Sequence, residues 1–307
     1  MKITITITGA SGFVGSNLLP YLQNAGYTTI GVSRNPRVNE FSYEELTTET
    51  WNNANAIIHL AGKAHDLKKV SNSEEYYEAN FELTKQLFDA FLNSKASVFI
   101  FMSSVKAVAD EVNGVLDEDN SPNPKTHYGI SKLQAEQYIL SKEIPEGKRV
   151  YILRPCMIHG PGNKGNLNLL YKMVAKGIPW PLGAFENKRS YCSIDNVCFI
   201  IKELLEREDI PSGIYHMADD DALSTNEMIQ LIAASQNLRP RIWKLPKSMI
   251  KNLARLGDLF HLSLNTERLQ KLTESYQVSN NKIKVALEKP LPISSKDGLI
   301  KTFQSFK

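Results

Sequence analysis

"TITGASGFVGSNLL", residues 6–19, sets Gly9, Gly12 and Gly15 between two differently patterned stretches. Before the glycines, "KITITITGA" alternates Thr with Ile from residue 2 on, the period of two that a strand requires. After them, "GSNLLPYLQNAG" reads as a helix. A strand, a glycine loop and a helix in this order suit a dinucleotide. The first glycine allows a tight turn, the second lets backbone approach a diphosphate, and the third lets helix and strand pack. The N–H groups at the positive end of the helix then meet the phosphates. Ser11, Phe13 and Val14 lie within the loop and are expected beside the cofactor. An ordinary turn is the alternative, and the flanking elements speak against it.

The pattern continues outward. Strand-like runs recur at 28–33, 56–61, 97–103 and 149–153, with helical patterns between most of them. In "YYEANFELTKQLFDAFLNS", Phe81, Leu87, Phe88 and Phe91 recur at helical spacing. "VFIFMSS" at 98–104 is apolar until its serines, as a strand covered on both faces must be. The alternation predicts an α/β fold with a parallel sheet. Past residue 160 the rhythm changes: "GPGNKGN" is a glycine-rich loop, "STNE" at 224–227 is a capping box, and 240–275 is mostly helical. We therefore expect a nucleotide-binding domain over 1–160 and a smaller, mostly helical domain over 161–307, with a strand near 213–218 joining the first.

The chain has 307 residues, 42% hydrophobic and 22% charged, enough for an ordinary globular core. A net charge of +3 is too small to argue for nucleic acid and is compatible with an anionic small substrate. Cys156, Cys192 and Cys198 have no metal-ligand spacing, so no metal is expected; free thiols in a reducing cytoplasm are. The apolar runs are too short to span a bilayer, and the N-terminus has no signal-peptide pattern.

The second strand, "TTIGVSR", ends in Ser33 and Arg34. An NAD site usually places a carboxylate there for the ribose 2′-OH. A hydroxyl and a guanidinium suit a 2′-phosphate, so NADP(H) is expected over NAD(H). An exposed surface arginine is the alternative.

"THYGISKLQAE" at 126–136 places Tyr128 and Lys132 one helical turn apart, and "YILSK" repeats the spacing at Tyr138 and Lys142. Taken with "TGASGFVG" at 8–15, "HLAG" at 59–62, "FMSSVK" at 101–106, "LRP" at 153–155, "GPGNKGN" at 160–166 and "RSYCSIDNV" at 189–197, the chain resembles the extended short-chain dehydrogenases/reductases. These are nucleotide-sugar epimerases, dehydratases and reductases, and the likeness covers nearly the whole length. The resemblance implies a Rossmann-type, doubly wound sheet. It also implies that Ser104, Tyr128 and Lys132 are catalytic, since Tyr128 follows Ser104 by 24 residues, the separation the family keeps. Tyr138 lies roughly 15 Å further along the helix and is out of reach.

The implied roles are specific. The Lys132 ammonium would lower the pKa of the Tyr128 phenol and hold the nicotinamide ribose. Ser104 would hydrogen-bond the sugar oxygen where charge develops; a hydroxyl that merely caps backbone is the alternative. Leu60, Ala61, Gly62, Asn80 and Pro155 match cofactor contacts, although an exposed helix residue is an alternative for Asn80. Asn166 and Arg189 match residues that grip the nucleotide diphosphate. Two departures stand out. His159 replaces a tyrosine in "IHGPG", read as a structural loop histidine, and the C-terminal region has no evident second diphosphate arginine. A homodimer through the helices near 73–94 and 127–143 is also implied.

The leading expectation is an NADP(H)-dependent 4-ketoreductase acting on a UDP-4-keto-6-deoxy-hexosamine for surface polysaccharide. A nucleotide-sugar 4-epimerase is the alternative, and a silent dinucleotide sensor ranks last because both Tyr128 and Lys132 are present. "LPKSMIKNLARLGDLFHL" at 245–262 could lie on a membrane surface. A helix packed on the second domain with its lysines solvated is the expected reading.

Overall fold

β-Branched and aromatic runs supply the strands, as their fit to a pleated surface demands. The computed structural model describes residues 3–36, 40–63, 73–163, 165–260 and 264–306. Its strands are β1 (Thr4–Thr8), β2 (Thr28–Val32), β3 (Glu40–Phe41), β4 (Ala56–His59), β5 (Val98–Met102), β6 (Val115–Leu116), β7 (Arg149–Pro155), β8 (Met157–His159), β9 (Tyr191–Ser193), β10 (Gly213–Met217) and β11 (Gln277–Val278). The helices are α1 (Phe13–Asn24), α2 (Thr48–Asn52), α3 (Glu74–Tyr77), α4 (Leu83–Leu92), α5 (His127–Leu140), α6 (Asn166–Ala175), α7 (Ile194–Glu206), α8 (Thr225–Ser235), α9 (Lys247–Leu259), α10 (Thr266–Thr273), α11 (Asn281–Leu287) and α12 (Ser295–Gln304).

Seven strands form one sheet in the order β10-β7-β5-β4-β1-β2-β3, and each neighbouring pair runs parallel. The chain builds outward from β1 in one direction, then crosses to β4 and builds in the other. Ligands of such sheets lie beyond the carboxyl ends of the strands where the order reverses. Here that point falls between Thr8 and His59, which are paired in register.

Both faces of the sheet are covered, so β4 and β5 are buried at every position. His59 fastens this centre: its Nδ1 is 2.7 Å from Thr8 Oγ1 and its Nε2 is 2.9 Å from Thr84 Oγ1 on α4. Burial pushes its imidazole well below the usual histidine range, so the ring is neutral.

β10 pairs with β7 and closes one edge of the sheet. The C-terminal region has its own apolar cluster, in which Tyr171, Trp180, Met228, Ile232, Leu269 and Phe303 are buried. The capping box forms as read: Ser224 Oγ accepts from the Glu227 N–H at 3.1 Å, and Glu227 Oε2 accepts from the Ser224 N–H at 2.8 Å. His159 lies in strand β8 rather than in a loop. It is structural all the same, with Nδ1 2.9 Å from Thr302 Oγ1 of α12 and Nε2 3.3 Å from Asp219 Oδ2. The three cysteines are buried free thiols. Among the described residues, no helix is long and apolar enough to cross a membrane.

Candidate active site

Glycine is required at two positions of the β1–α1 loop. Gly9 has φ +73°, and a Cβ there would lie 2.6 Å from the Ala61 nitrogen, so β1 and β4 meet backbone to backbone. A Cβ on Gly15 would lie 2.5 Å from the carbonyl oxygens of Gly9 and Ala10. Gly12 is the N-cap of α1, and no side chain caps that helix. Its first N–H groups therefore need another acceptor, and a diphosphate is one. The cradle fits a dinucleotide.

Across the crevice, Leu60, Ala61 and Gly62 follow β4. A Cβ on Gly62 would lie 2.6 Å from Asn80 Oδ1 and 3.0 Å from Lys132 Nζ, so only glycine leaves this space open. Asn80 is fully buried, which overturns the exposed-helix alternative. A π-helical turn over Glu78–Glu82, between α3 and α4, carries it. Its Oδ1 accepts from the Lys63 N–H at 2.8 Å, and its Nδ2 donates to the Lys63 carbonyl at 3.1 Å and to Ser131 Oγ at 3.0 Å. Asn80 thus sets the shape of the loop that Gly62 keeps open.

Ser104 follows β5 and caps a short 3₁₀ turn, its Oγ accepting from the Lys106 N–H at 3.2 Å. The same hydroxyl hydrogen-bonds Tyr128. Ser104 therefore caps backbone, as the alternative had it, and also reaches Tyr128. Tyr128 sits in the first turn of α5, which Thr126 caps by accepting from the Gly129 N–H at 3.2 Å. Lys132 is buried one turn on, and its Nζ donates to the Met102 carbonyl at 2.9 Å and lies 4.8 Å from the centre of the Phe101 ring.

The electrostatics differ from the expectation in one respect. Burial raises the Tyr128 pKa above its ordinary 10, and the Ser104 hydrogen bond opposes that rise. The Lys132 ammonium is turned to the Met102 carbonyl. Burial pushes Lys132 itself down to about 8, partly offset by the Glu136 carboxylate.

Two cavities share Ser104, Tyr128 and Pro155 as a common wall. One, of about 270 Å³, also touches Val14, Gly62 and Lys132 and faces the glycine loop. The other, of about 420 Å³, reaches Arg189, Lys106 and Tyr276 on the opposite side. Tyr128 thus stands between the two cavities. Tyr138 is excluded from both: its hydroxyl donates to Asp89 at 2.7 Å, and Lys142 Nζ lies 4.6 Å from its ring centre.

Arg189 lines the cavity of about 420 Å³, and its guanidinium is engaged, with Nη2 2.7 Å from Glu274 Oε1 and 2.7 Å from the Lys271 carbonyl. Asn166 is the first residue of α6, and its side chain lies outside those described. Lys106 was not singled out by the sequence reading. Its Nζ donates to the Asp110 carbonyl at 2.8 Å and lies 4.2 Å from the Tyr276 ring centre.

The end of β2 has a neighbour that its own residues do not reveal. A carboxylate is present there, supplied by β3 rather than by β2. Ser33 is buried, and its Oγ donates to Glu40 Oε2 at 2.9 Å. Gly31 makes room for it, since a Cβ on Gly31 would lie 3.0 Å from Glu40 Cγ. Arg34 is exposed and borders an outer cavity with Ala61 and Gly62.

The family model described as NAD dependent epimerase/dehydratase family matches residues 5–218. The chain is 29% identical to the UDP-glucose 4-epimerase of Vibrio cholerae, over 100% of this chain and 96% of that one. It is 25% identical to the GDP-6-deoxy-D-mannose reductase of Pseudomonas aeruginosa, over 81% of this chain and 85% of that one. Its fold is similar to that of MoeE5 in complex with UDP-glucuronic acid and NAD, with a TM-score of 0.75 at 21% identity over 98% of each chain.

Proposed function

The chain belongs to the NAD-dependent epimerase/dehydratase family, as an NAD(P)-dependent enzyme of the extended short-chain dehydrogenase/reductase type, and from that premise we propose that it is a 4-epimerase of a UDP-linked sugar that works with NAD. The observation that carries this reading is Glu40. Its carboxylate accepts from Ser33 beside the phosphate loop, where it would accept from a ribose 2′-OH and repel a 2′-phosphate. An epimerase returns its hydride and can keep one NAD, whereas a reductase must exchange NADPH at every turnover. The uridine diphosphate follows from the Vibrio relative's activity and from the UDP-sugar bound to MoeE5.

Gly9, Ser11, Gly12, Phe13, Val14, Gly15, Ser33, Leu60, Ala61, Gly62, Asn80 and Pro155 would form the cofactor site in this reading. Held there, the nicotinamide cofactor would supply the hydride acceptor and donor for the sugar carbon. Tyr128 takes the proton from the C4 hydroxyl and later returns it. Ser104 hydrogen-bonds the same oxygen and steadies the phenol. Lys132, buried one turn away, supplies the positive charge that a developing phenolate needs in a dry site. In this reading Lys106 lends positive charge to the substrate side, and Arg189, once released from Glu274, and Asn166 grip the nucleotide diphosphate. The reading includes a homodimer through the helices near 73–94 and 127–143, which light scattering would test.

A second reading, an NADPH-dependent 4-ketoreductase, draws on Arg34, whose exposed guanidinium could take a 2′-phosphate at the rim of the outer cavity. Incubation of the purified protein with UDP-glucose and UDP-N-acetylglucosamine, with no cofactor added, separates the two. The epimerase gives the C4 epimer. Failure to do so, with NADPH consumed on addition of a 4-keto-UDP-sugar, replaces the first reading with the second.

A further inference from the structure

Six of the sixteen large hydrophobic side chains exposed among the described residues fall within 243–260: Trp243, Met249, Leu253, Leu256, Leu259 and Phe260. The overlapping stretch 239–255 carries Arg239, Arg241, Lys244, Lys247, Lys251 and Arg255, all exposed, with no Asp or Glu between Glu227 and Asp258. These six positive charges are twice the net charge of the whole chain, +3. Among the described residues, none of the six takes part in an ion pair.

The pattern on α9 separates the two sets. Only Ile250, Ala254 and Gly257 are buried, in the seam that packs the helix against α10. Met249, Leu253, Leu256 and Phe260 recur at spacings of four, three and four, so they form a second apolar stripe beside that seam, and it faces outward. Lys247, Lys251 and Arg255 follow one another at four and lie on the side away from the stripe. The lysines are solvated, as the sequence led us to expect, but so is the apolar stripe.

We propose that this face docks on the surface of an anionic phospholipid bilayer, with α9 lying in the plane of the interface. An apolar stripe with aromatic residues, set against a lysine- and arginine-rich face, is the pattern of helices that lie at that boundary. The stripe enters the acyl boundary, and the basic side chains add electrostatic attraction to the anionic surface. A second copy of the chain fits the face poorly. A two-fold contact would set the same acid-free basic stretch against itself, and like charges across an interface are unfavourable.

Sedimentation of the full chain with vesicles tests this. Phosphatidylcholine vesicles are compared with vesicles of phosphatidylcholine and phosphatidylglycerol, at low and high salt. The protein should sediment with the mixed vesicles, less so at high salt, and not with phosphatidylcholine alone. Leu253→Glu with Leu256→Glu should abolish sedimentation while the thermal unfolding midpoint stays near that of the wild type. Lys247→Gln with Lys251→Gln, which spares the apolar stripe, should weaken partition by roughly fivefold per charge removed. Absence of wild-type binding to the mixed vesicles overturns the proposal, as does wild-type binding by both double variants. It is equally overturned if the wild type self-associates through this face, the glutamate variant is monomeric, and neither binds vesicles.

Discussion

Glu136 and Arg154 form an ion pair closed off from water behind the candidate active site, with Arg154 Nε 3.0 Å from Glu136 Oε1 and side-chain exposures of 3% and 0% for the arginine and the glutamate. Ser103 also donates to Glu136. The pair joins α5 to β7, and each partner stands next to a site residue. Glu136 is one turn beyond Lys132, Ser103 precedes Ser104, and Arg154 precedes Pro155. The positions of Tyr128 and Lys132 over the sheet therefore depend on this clamp.

Glu136→Gln should cost about 3–5 kcal/mol of folding stability, because it leaves the Arg154 guanidinium charged and buried without its partner. Urea unfolding of wild type and variant measures it. A loss below about 1 kcal/mol would show that the pair contributes little to holding α5.

Tyr128→Phe should lower turnover by about 10²–10⁴-fold and leave cofactor binding intact, since only the proton-transfer group is removed. Tyr138→Phe should leave turnover unchanged yet destabilise the fold by about 1.5–3 kcal/mol, through loss of the hydrogen bond to the Asp89 carboxylate. Steady-state rates and unfolding curves of both variants decide the matter, and the reverse pattern would mean that the wrong tyrosine was chosen.

Folded Lys132 releases its proton near pH 8, while a lysine in the unfolded chain does so near 10.5. Between those values the unfolded state holds the extra proton, so this residue makes stability rise with pH. Relative to Lys132→Met, the wild type should gain on the order of 3 kcal/mol across that window. Unfolding both proteins in buffers from neutral to alkaline pH tests this. A difference that stays flat, or falls, contradicts a buried ammonium at this position.

Glu40→Gln should weaken NAD(H) binding and relieve the repulsion of a 2′-phosphate. The lost charge-assisted bond of about 1.5–3 kcal/mol corresponds to a preference for NAD(H) over NADP(H) that falls by roughly ten- to a hundredfold. Titration of both cofactors against both proteins reads it directly. A wild type that already prefers NADP(H) would assign the 2′ position to Arg34 instead.

The strands and the glycine loop were legible because they follow from local rules: alternation in β1, an apolar run in β5 and glycines where a Cβ would strike backbone. Tyr128 was separated from Tyr138 by its distance from Ser104 along the chain, and in the fold Tyr128 borders both cavities while Tyr138 is bonded to Asp89. Residues whose role depends on a partner distant in sequence were not legible. Glu40 reaches Ser33 only because a two-residue strand joins the sheet edge, and so short a strand has no periodicity to detect. Asn80 is turned inward by a π-helical turn that the apolar spacing does not encode. The direction of the Lys132 ammonium is set by the Met102 carbonyl, and that too depends on tertiary packing.

The central claim, that one enzyme-held cofactor takes a hydride from C4 and returns it to the same carbon, is tested most directly with a UDP-sugar carrying deuterium at C4. Purified protein is incubated with it, no cofactor is added, and both sugars are recovered and weighed by mass spectrometry. The account predicts that the C4 epimer forms with its deuterium retained. An epimer that has lost the label to solvent, or no epimer together with label-free reduction of a 4-keto sugar by added NADPH, would contradict it.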